Sequence, residues 1–361
     1  MQPLLTVVIP CLNETAVLRE TAAELDDYLS RSDWDAGLGK RWEIIFVNDG
    51  STDDTAGVLA SIGARYPNVR SLNFARSSGQ GKALQAGFEA ARGEWIVTFD
   101  ADLDYQPSHI RSFLAVALRT DADIVVGSPY RRGGRIENCP WPRLAMSWLM
   151  NWYFRQLFKI GLTTFTAIIR LYRRRALDRL LLASYDKDFL PELLIKADLL
   201  KMSIVELPAI SVWDAGKTRR RGKGFNIVST ARKAARHLAI GLVERPFSLL
   251  FYPMLLVFVL FVMMSYGVAH LFWMNFAASD AGLLLDIREA LSISYQQSPH
   301  TFIFFVGAAQ SLLIMFFSAV VVLQIKNKSD TDFIIQTKLY EAISRPSQHD
   351  RPSARNEPEK E

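Results

Sequence analysis

Three aspartates follow a short apolar run in the stretch WIVTFDADLD, residues 95 to 104. Asp100, Asp102 and Asp104 are spaced two residues apart, and alternate residues of an extended chain project to the same side. We therefore expect up to three carboxylates to crowd together at the end of a buried strand. Like charges this close repel one another unless a positive charge lies between them. The spacing predicts a cation at this point of the fold.

The kind of cation follows by elimination, with turn or helix-cap roles for Asp100 and Asp102 as the alternative. A calcium-binding EF-hand loop needs Gly at its sixth position and Glu at its twelfth, where this chain has Tyr105 and Arg111. The glycines of SSGQGKALQAG fit neither a P-loop nor a dinucleotide fingerprint. Mg²⁺ is often held by few carboxylates and completed by substrate phosphates, and Mn²⁺ is a close substitute. We expect Mg²⁺ or Mn²⁺ together with a nucleotide.

The elements that must position these aspartates alternate between strands and helices. Strand-like runs are LLTVVIP, WEIIFVND, WIVTFD and ADIVVGS, and helical periodicity appears in TAVLRETAAELDDYL and GKALQAGFEAAR. This alternation predicts an α/β layer with a mainly parallel sheet. Ligands bind beyond the carboxyl ends of such strands. Asn13, Glu14, Asp49 and the aspartate run all follow strand ends, so we expect them to share one site.

The C-terminal third of the chain is organised differently. Residues 247–273 and 301–325 contain no Asp, Glu, Lys or Arg, and each exceeds the ~20 residues that cross a bilayer as a helix. We predict two transmembrane helices, with two buried core helices as the alternative. Basic residues flank the spans and acidic residues predominate in the loop between them, which predicts cytoplasmic termini. The predicted segments are a catalytic domain (1–213), a basic juxtamembrane segment (214–246), two spans with an external loop (247–326) and a polar, partly disordered cytoplasmic tail (327–361).

Composition excludes some classes of protein. Half of the 361 residues are hydrophobic, and the net charge is +5. The two cysteines, Cys11 and Cys139, lie far apart and match no metal-ligand spacing, which favours free thiols in a reducing compartment. The basic segment adjoins a span and lacks interleaved aromatic residues, so we expect lipid contact and no nucleic-acid binding. A channel or transporter is disfavoured because the spans contain few strongly polar residues, namely His270, Gln310 and Gln324.

Four motifs in order, VVIPCLNE, VNDGSTDDT, DADL and RLYRR, resemble the inverting family 2 glycosyltransferases of GT-A fold. More narrowly, the chain is similar to the polyprenyl-phosphate branch, which includes dolichol-phosphate mannose synthases and bactoprenol glucosyltransferases. The resemblance covers residues 1 to about 240. It implies a GT-A fold with a mixed, mainly parallel sheet and flanking helices. It also implies metal-dependent transfer of a sugar from a UDP- or GDP-sugar to a polyprenyl phosphate, at the cytoplasmic face of a bacterial inner membrane. Related enzymes form homo-oligomers, so a dimer or tetramer is expected.

The same resemblance implies roles for the donor-side residues. Asp49 would contact the nucleotide base, Asp102 would be the chief metal ligand, and Asp100 would assist it. The full set expected at the nucleotide sugar is Pro10, Asn13, Glu14, Asp49, Lys82, Asp100, Ala101 and Asp102.

The acceptor-side motifs depart from the family pattern. Relatives often read G-S-R-Y and D-x-T-x-G-F-R-L, where this chain has Pro129 for the arginine, Thr164 for the aspartate and Ile168 for the glycine; Trp213 replaces a third family residue, an arginine. We expect the acceptor phosphate to be oriented by Arg131, Arg132, Arg170, Lys217 and Arg219, with Arg131 and Arg170 classed as catalytic beside Asp100 and Asp102.

Loss of the aspartate fits a phosphate acceptor, because a phosphate monoester with a second pKa of ~6 is already a nucleophile and needs no base. A hydroxyl acceptor would need one. If the acceptor were diacylglycerol or ceramide, Asp188 or Glu192 would be the candidate base. A non-catalytic membrane adaptor is a further alternative, against which the intact aspartates count.

Overall fold

A computed structural model describes residues 4–31, 41–158, 160–184, 186, 188–213, 246–277 and 283–344. The chain divides into two compact units. One comprises Met1–Ala231 with Asp330–Glu361, and the other comprises Arg232–Ser329. The predicted segment 214–246, which includes Lys217 and Arg219, lies almost wholly outside the described residues, as does the end of the predicted tail.

The first unit is built on a seven-stranded sheet in the order β3-β2-β1-β4-β7-β5-β8. Strand β7 runs antiparallel to both neighbours, and the other pairs are parallel. The strands are β1 (Leu5–Cys11), β2 (Trp42–Asn48), β3 (Val69–Asn73), β4 (Trp95–Thr98), β5 (Ile124–Ser128), β7 (Arg170–Arg173) and β8 (Ile204–Pro208), while β6 (Arg135–Glu137) and β9 (Ile210–Val212) form a separate parallel pair. This is a GT-A-like mixed, mainly parallel sheet, which confirms the predicted fold class.

Helices flank the sheet. They are α1 (Leu18–Ser30), α2 (Thr55–Arg65), α3 (Gln80–Ala90), α4 (His109–Thr120), α5 (Trp141–Phe158), α6 (Arg174–Leu177) and α7 (Phe189–Leu199). The two helices predicted from periodicity are α1 and α3. Every residue of β2 is buried, as expected for a central parallel strand covered by helices on both faces. That burial explains why the strand runs are almost continuously apolar.

The remaining helices are α8 (Pro246–Ala277), α9 (Leu283–Gln297) and α10 (Pro299–Ser344). Two stretches are long and apolar enough to cross a membrane, Met254–Ala277 in α8 and Pro299–Leu339 in α10, each with a mean hydropathy of 2.2. They cover the two predicted spans. Two details differ from the prediction. The predicted external loop contains helix α9, and α10 continues to Ser344, through residues assigned to the polar tail.

Candidate active site

The aspartate run lies in a turn directly after β4. The chain leaves the strand at Thr98, and Leu103 adopts the left-handed region with φ of 51°. The turn is tied down from two sides, because the Thr21 hydroxyl of α1 donates to the Ala101 carbonyl at 2.6 Å and the Val212 amide donates to the Asp104 carbonyl at 2.7 Å. The aspartates are therefore held by a fixed turn, and the expected extended alternation was wrong in that detail.

The three carboxylates of this turn form one cluster. One oxygen from each of Asp100, Asp102 and Asp104 lies within 4.8 Å of the other two. Asp102 is only 5% exposed, and Ala101 beside it is buried. An all-oxygen donor set of this size suits Mg²⁺ or Mn²⁺. The residues present fit the expected metal, and Asp104 joins the two aspartates named from the sequence.

Tyr105 follows the aspartate cluster directly in the sequence and is buried. Burial raises the pKa of its hydroxyl, and the neighbouring charge of Asp100 raises that pKa further. The ring is nearly enclosed and meets His109 edge-on, with ring centroids 6.3 Å apart. Tyr105 therefore remains neutral over the physiological pH range and adds no negative charge to the site.

Asp49 holds a loop against the end of β2. Its buried carboxylate accepts hydrogen bonds from the Ser77 hydroxyl at 2.8 Å and from the amides of Ser78 and Gly79 at 2.7 and 3.0 Å. This loop leads into the first turn of α3, where the half-buried Lys82 lies. The contacts of Asp49 shown here are with the loop, so its contact with a nucleotide base stays a prediction.

The end of β1 is joined to the end of β2. Asn13 has a φ of 57°; its amide donates to the Ser51 hydroxyl at 2.9 Å, and its side-chain oxygen accepts from the Thr52 amide at 2.8 Å. The amide of the buried Glu14 donates to the Thr55 hydroxyl at 3.1 Å. The half-buried Pro10 lies opposite Val47 in the sheet register. The predicted donor-side residues of these two strands thus form one connected surface.

Asp53 reinforces that junction. Burial alone would raise the pKa of its carboxyl, but hydrogen bonds from Thr15 and Thr55 outweigh burial and lower that pKa. Asp53 therefore stays ionised and bridges the two loops at neutral pH.

A buried carboxylate that sequence reasoning missed lies on the acceptor side. Glu206 of β8 accepts on Oε1 from the Thr163 amide (2.8 Å), the Thr163 hydroxyl (2.9 Å) and the Thr164 amide (3.1 Å). Its other oxygen, Oε2, accepts from Nη1 of Arg131 at 3.4 Å. The Arg131 side chain is 48% exposed, whereas that of Glu206 is 1% exposed. Glu206 thus joins the 163–164 turn to an arginine that reaches solvent.

The structure places Arg170 inside the protein. Its side chain is fully buried and donates from Nε to the Ala167 carbonyl (2.8 Å), from Nη1 to the Leu190 carbonyl (2.8 Å) and from Nη2 to the Phe165 carbonyl (2.7 Å). Each guanidinium nitrogen donates to a backbone carbonyl, and none of the side chain is open to solvent. This arrangement gives Arg170 a structural role and disfavours its contact with the acceptor phosphate, which stays a prediction.

The two candidate bases, Asp188 and Glu192, differ in their surroundings. The Glu192 carboxylate accepts from the amides of Ala183 and Ser184 at 2.9 and 2.8 Å and from Lys196 Nζ at 2.6 Å. Burial raises the pKa of Glu192, but these donors outweigh burial and lower that pKa, which makes it a poor proton acceptor. Asp188 occupies the N-cap position of α7.

The second arginine of the predicted acceptor site, Arg132, is exposed beside Arg131.

Comparisons with known proteins assign the family. Residues 6–181 match the family model described as Glycosyl transferase family 2. The undecaprenyl-phosphate mannosyltransferase of Micrococcus luteus is 33% identical over 207 residues, which cover 56% of this chain and 80% of that protein. The chain belongs to glycosyltransferase family 2. The polyprenol monophosphomannose synthase of Mycolicibacterium smegmatis is 34% identical over 172 residues, covering 46% of this chain and 64% of that protein. These two relatives support placing the chain in the polyprenyl-phosphate branch of the family.

Other similarities of this family 2 chain are more distant or partial. The glucosyl-3-phosphoglycerate synthase of Mycobacterium tuberculosis, solved with Mn²⁺, UDP and phosphoglyceric acid, is 18% identical with a TM-score of 0.49, covering 67% of this chain and 78% of that one. The match to the mycobacterial mannose synthase spans less than two thirds of that relative. The activity, substrates and partners of the whole family 2 chain are therefore proposals.

One signal in the family 2 chain could have pointed to Glu206. It is the only charged residue in the apolar stretch SIVELPAI, residues 203–210, and a charge in a strand is rarely buried without partners. Its partners, however, are more than 40 residues away in sequence, at Thr163 and Thr164. Thr163 and Thr164 lie outside β5 and β8, so tertiary packing brings them to Glu206 and local spacing could not have revealed this contact.

Proposed function

We propose that this family 2 glycosyltransferase moves a sugar from a nucleotide sugar to a polyprenyl phosphate at the cytoplasmic face of a bacterial inner membrane. The observation that carries the proposal is the cluster of Asp100, Asp102 and Asp104 in a fixed turn after β4. Carboxylates in this arrangement can hold a divalent cation, and the phosphates of a nucleotide sugar need such a cation. The polyprenyl-phosphate relatives support the acceptor class.

On the donor side, Asp102 and Asp100 would hold Mg²⁺ or Mn²⁺, and Asp104 lies close enough to contribute. The metal supplies neutralisation of the charge that develops on the departing diphosphate. Pro10, Asn13, Glu14, Asp49, Lys82 and Ala101 are proposed to surround the UDP or GDP moiety. Their support is that the β1 and β2 loops form one connected surface at the carboxyl edge of the sheet.

On the acceptor side, Arg131 is proposed to bind the phosphate, with Arg132, Lys217 and Arg219 adding positive charge. Arg131 is half-exposed and its Nη1 contacts Glu206 at 3.4 Å, so this ion pair is proposed to orient the side chain. A bidentate arginine is well suited to a phosphate. Glu206 acts through Arg131 and is a positioning residue.

The proposed reaction is a single displacement with inversion. An oxygen of the acceptor phosphate bonds to the anomeric carbon of the sugar. The bond from that carbon to the diphosphate oxygen breaks, and the nucleoside diphosphate leaves with the electron pair. No proton has to be removed from the acceptor, because the phosphate is mostly dianionic near neutral pH. The lowered pKa of Glu192 agrees with a site that needs no base.

A hydroxyl lipid such as diacylglycerol or ceramide is the second candidate acceptor. It stays open because the acceptor motifs are altered: Thr164, which is buried in the turn that Glu206 holds, stands where family members carry an aspartate. Pro129, Ile168 and Trp213 are the other departures. In that case Asp188 is the remaining candidate base. The charge pattern around the two candidate spans supports cytoplasmic termini, and a dimer or tetramer is proposed from the related enzymes alone.

The deciding experiment measures nucleoside diphosphate release by the full chain in vesicles. A panel of nucleotide sugars is supplied with and without undecaprenyl phosphate and Mn²⁺. We expect release to require both, and Asp102→Asn to weaken it at least about tenfold, because even residues outside the first coordination shell carry effects of that size. Asp27→Asn, in an exposed ion pair on α1, is the matched control and should release diphosphate normally.

Other results would redirect the proposal. Metal-dependent release that ignores undecaprenyl phosphate and responds to diacylglycerol or ceramide would establish the hydroxyl acceptor. No release with any donor, from protein that remains folded, would favour a membrane adaptor. Activity confined to vesicles whose outer surface corresponds to the periplasm would contradict the cytoplasmic orientation.

A further inference from the structure

Helix α5 has two apolar faces, and among the residues that the structure describes only one of them packs against the protein. The buried face carries Met150, Asn151, Phe154 and Phe158. The rings of Phe154 and Phe158 each meet Phe165 with centroids 5.7 Å apart. This face anchors α5 to the sheet domain, so the helix is a fixed part of that domain.

The opposite face of α5 is a row of exposed tryptophans. Trp141, Trp148 and Trp152 are 78%, 57% and 44% exposed. They are spaced seven and four residues apart, which at 3.6 residues per turn places them within an arc of about 40°. Leu144 and Leu149 widen this face. Among the described residues up to 213, five of the seven large hydrophobic side chains with high exposure belong to α5. A patch of this kind indicates an interaction surface.

The chemistry of α5 suits a lipid headgroup layer. Its sequence contains Arg143 and Arg155 and no acidic residue. Tryptophan is enriched where a membrane meets water, and basic residues are attracted to anionic lipids. The guanidinium of Arg143 also lies 3.8 Å from the ring centroid of Trp213. Residue 213 is where the chain passes into the basic segment that leads to the first candidate span. The start of α5 therefore contacts the residue that precedes the basic segment in the sequence.

The buried face of α5 touches the proposed acceptor site. The hydroxyl of Tyr130, next to Arg131, donates to the Ser147 hydroxyl at 2.7 Å. The side-chain oxygen of Asn151 accepts from the Phe165 amide at 2.8 Å and from the Thr164 hydroxyl at 3.4 Å. One helix thus joins the turn held by Glu206 to an aromatic face that is exposed in the described part of the chain.

We propose that the tryptophan face of α5 lies in the interfacial layer of the bilayer and docks the catalytic domain on anionic lipid. The helix lies along the membrane surface with its tryptophans among the headgroups, as interfacial helices do. The purpose of this docking rests on the proposed function: it brings the Arg131 site to the depth at which a polyprenyl phosphate presents its phosphate. The location of the helix does not depend on which reaction is catalysed.

The test measures the depth of single spin labels on the full chain in vesicles of phosphatidylethanolamine and phosphatidylglycerol. Cys139→Ser removes the accessible native thiol, and the other, Cys11, is buried. Trp148→Cys then reports on the proposed face, with Leu149→Cys as a second position in case Trp148→Cys fails to fold. Leu118→Cys on α4 is the matched control, since Leu118 is 58% exposed. We expect collisions with oxygen to exceed those with a water-soluble nickel complex at position 148, and the order to reverse at position 118.

The outcomes separate the possible occupants of this face. Nickel accessibility at position 148 equal to that at 118 would mean that the face is open to water and would overturn the proposal. Shielding from both reagents, unchanged in detergent, would mean that protein covers it, either a second copy or residues 214–246, and would also overturn the proposal. This measurement needs no turnover, so it stands apart from any failure of the proposed reaction.

A catalytic readout links docking to acceptor use. In vesicles, Trp148→Glu should raise the KM for the polyprenyl phosphate several-fold while the KM for the nucleotide sugar stays the same. Trp148→Phe, which keeps an apolar ring, should restore the acceptor KM. An equal loss in both KM values would show that the helix only supports the fold.

Discussion

Glu206 uses its two carboxylate oxygens for different purposes. One oxygen caps the 163–164 turn with three hydrogen bonds, and the other contacts Arg131, whose side chain reaches solvent. The contact with Glu206 is therefore proposed to set where the Arg131 guanidinium lies, which would make acceptor binding depend on a residue outside the acceptor's own contacts.

Glu206→Gln should separate these two purposes. The amide oxygen can still accept from the 163–164 turn, but the charge that fixes Arg131 is lost. We expect the acceptor KM to rise several-fold with the donor KM unchanged. Glu206→Ala should in addition lower the free energy of unfolding by about 1–3 kcal/mol, because buried amides lose their acceptor. Both are measured by steady-state kinetics and urea unfolding.

The control for Glu206→Gln is Glu137→Gln, which removes the carboxylate of a largely exposed ion pair with Arg135. Such pairs contribute little, so neither KM should move. If Glu206→Gln left the acceptor KM unchanged while the protein stayed folded, Arg131 would not depend on Glu206 and the positioning role would be wrong.

Single residues were predictable from sequence to different degrees. Asp100 and Asp102 were found because their spacing and the family motif coincide in one short stretch. Glu206 was missed because all its partners are distant in sequence. For Arg170, the motif RLYRR specifies a residue type, while burial in the antiparallel strand β7 decides where its side chain points.

At the scale of elements, the loop 76–79 is held by the turn that follows β2. Asp49 binds the loop, and Gly50 lies against it with a φ of 63°. A Cβ on Gly50 would come 2.3 Å from the Arg76 carbonyl carbon. The start of α3, with Lys82, depends on this contact because the loop leads directly into that helix.

Gly50→Ala should therefore displace the loop. We expect a loss of at least about 1 kcal/mol in the free energy of unfolding, from the left-handed backbone together with the steric clash. Nucleotide affinity should fall as well, measured by titration calorimetry with the nucleoside diphosphate and Mn²⁺. Gly63→Ala in α2 is the matched control. Its nearest neighbouring atom is 3.6 Å from the new Cβ, and alanine in a helix should stabilise the protein by about 0.5–1 kcal/mol.

Arg170 connects several elements, because it joins β7 to the 165–167 segment and to α7. Arg170→Met should leave buried carbonyls without donors, at a cost of about 1–3 kcal/mol for each group. The melting temperature should fall strongly, measured by circular dichroism. Arg132→Met, on an exposed arginine of the proposed acceptor site, should leave the melting temperature unchanged and raise the acceptor KM. Normal stability in Arg170→Met would restore Arg170 as a candidate for acceptor binding.

Elements were predicted well where one pattern dominated. Buried parallel strands and amphipathic helices gave β1, β2, β4, β5, α1 and α3 correctly. Helix α9 and the C-terminal part of α10 were missed because the sequence around them is polar. The signal in α10 was weak: Phe333 and Thr337 lie four residues apart and are both buried, and Lys196 Nζ lies 4.8 Å from the Phe333 ring centroid. Only tertiary packing distinguishes this segment from a solvated tail.

At the scale of the whole molecule, α10 is longer than a membrane requires. Its 46 residues, at 1.5 Å each, span about 69 Å, whereas the hydrocarbon core is about 30 Å thick. Residues from Asp330 onward cluster with the sheet unit, while the earlier part of α10 belongs to the other unit. Helix α10 therefore contains residues of both units.

The aspartate cluster also has a consequence for the stability of the entire protein. Its three carboxylates are forced together only in the folded chain, so their repulsion disappears on unfolding and weakens the native state. A divalent ion that binds only the folded form shifts the unfolding equilibrium, by roughly 2.7 kcal/mol at 100 times its dissociation constant. We expect Mn²⁺ to raise the melting temperature without any nucleotide present, chelation to reverse the rise, and Asp102→Asn to abolish it. The heat tolerance of this protein would then depend on the supply of metal in its surroundings.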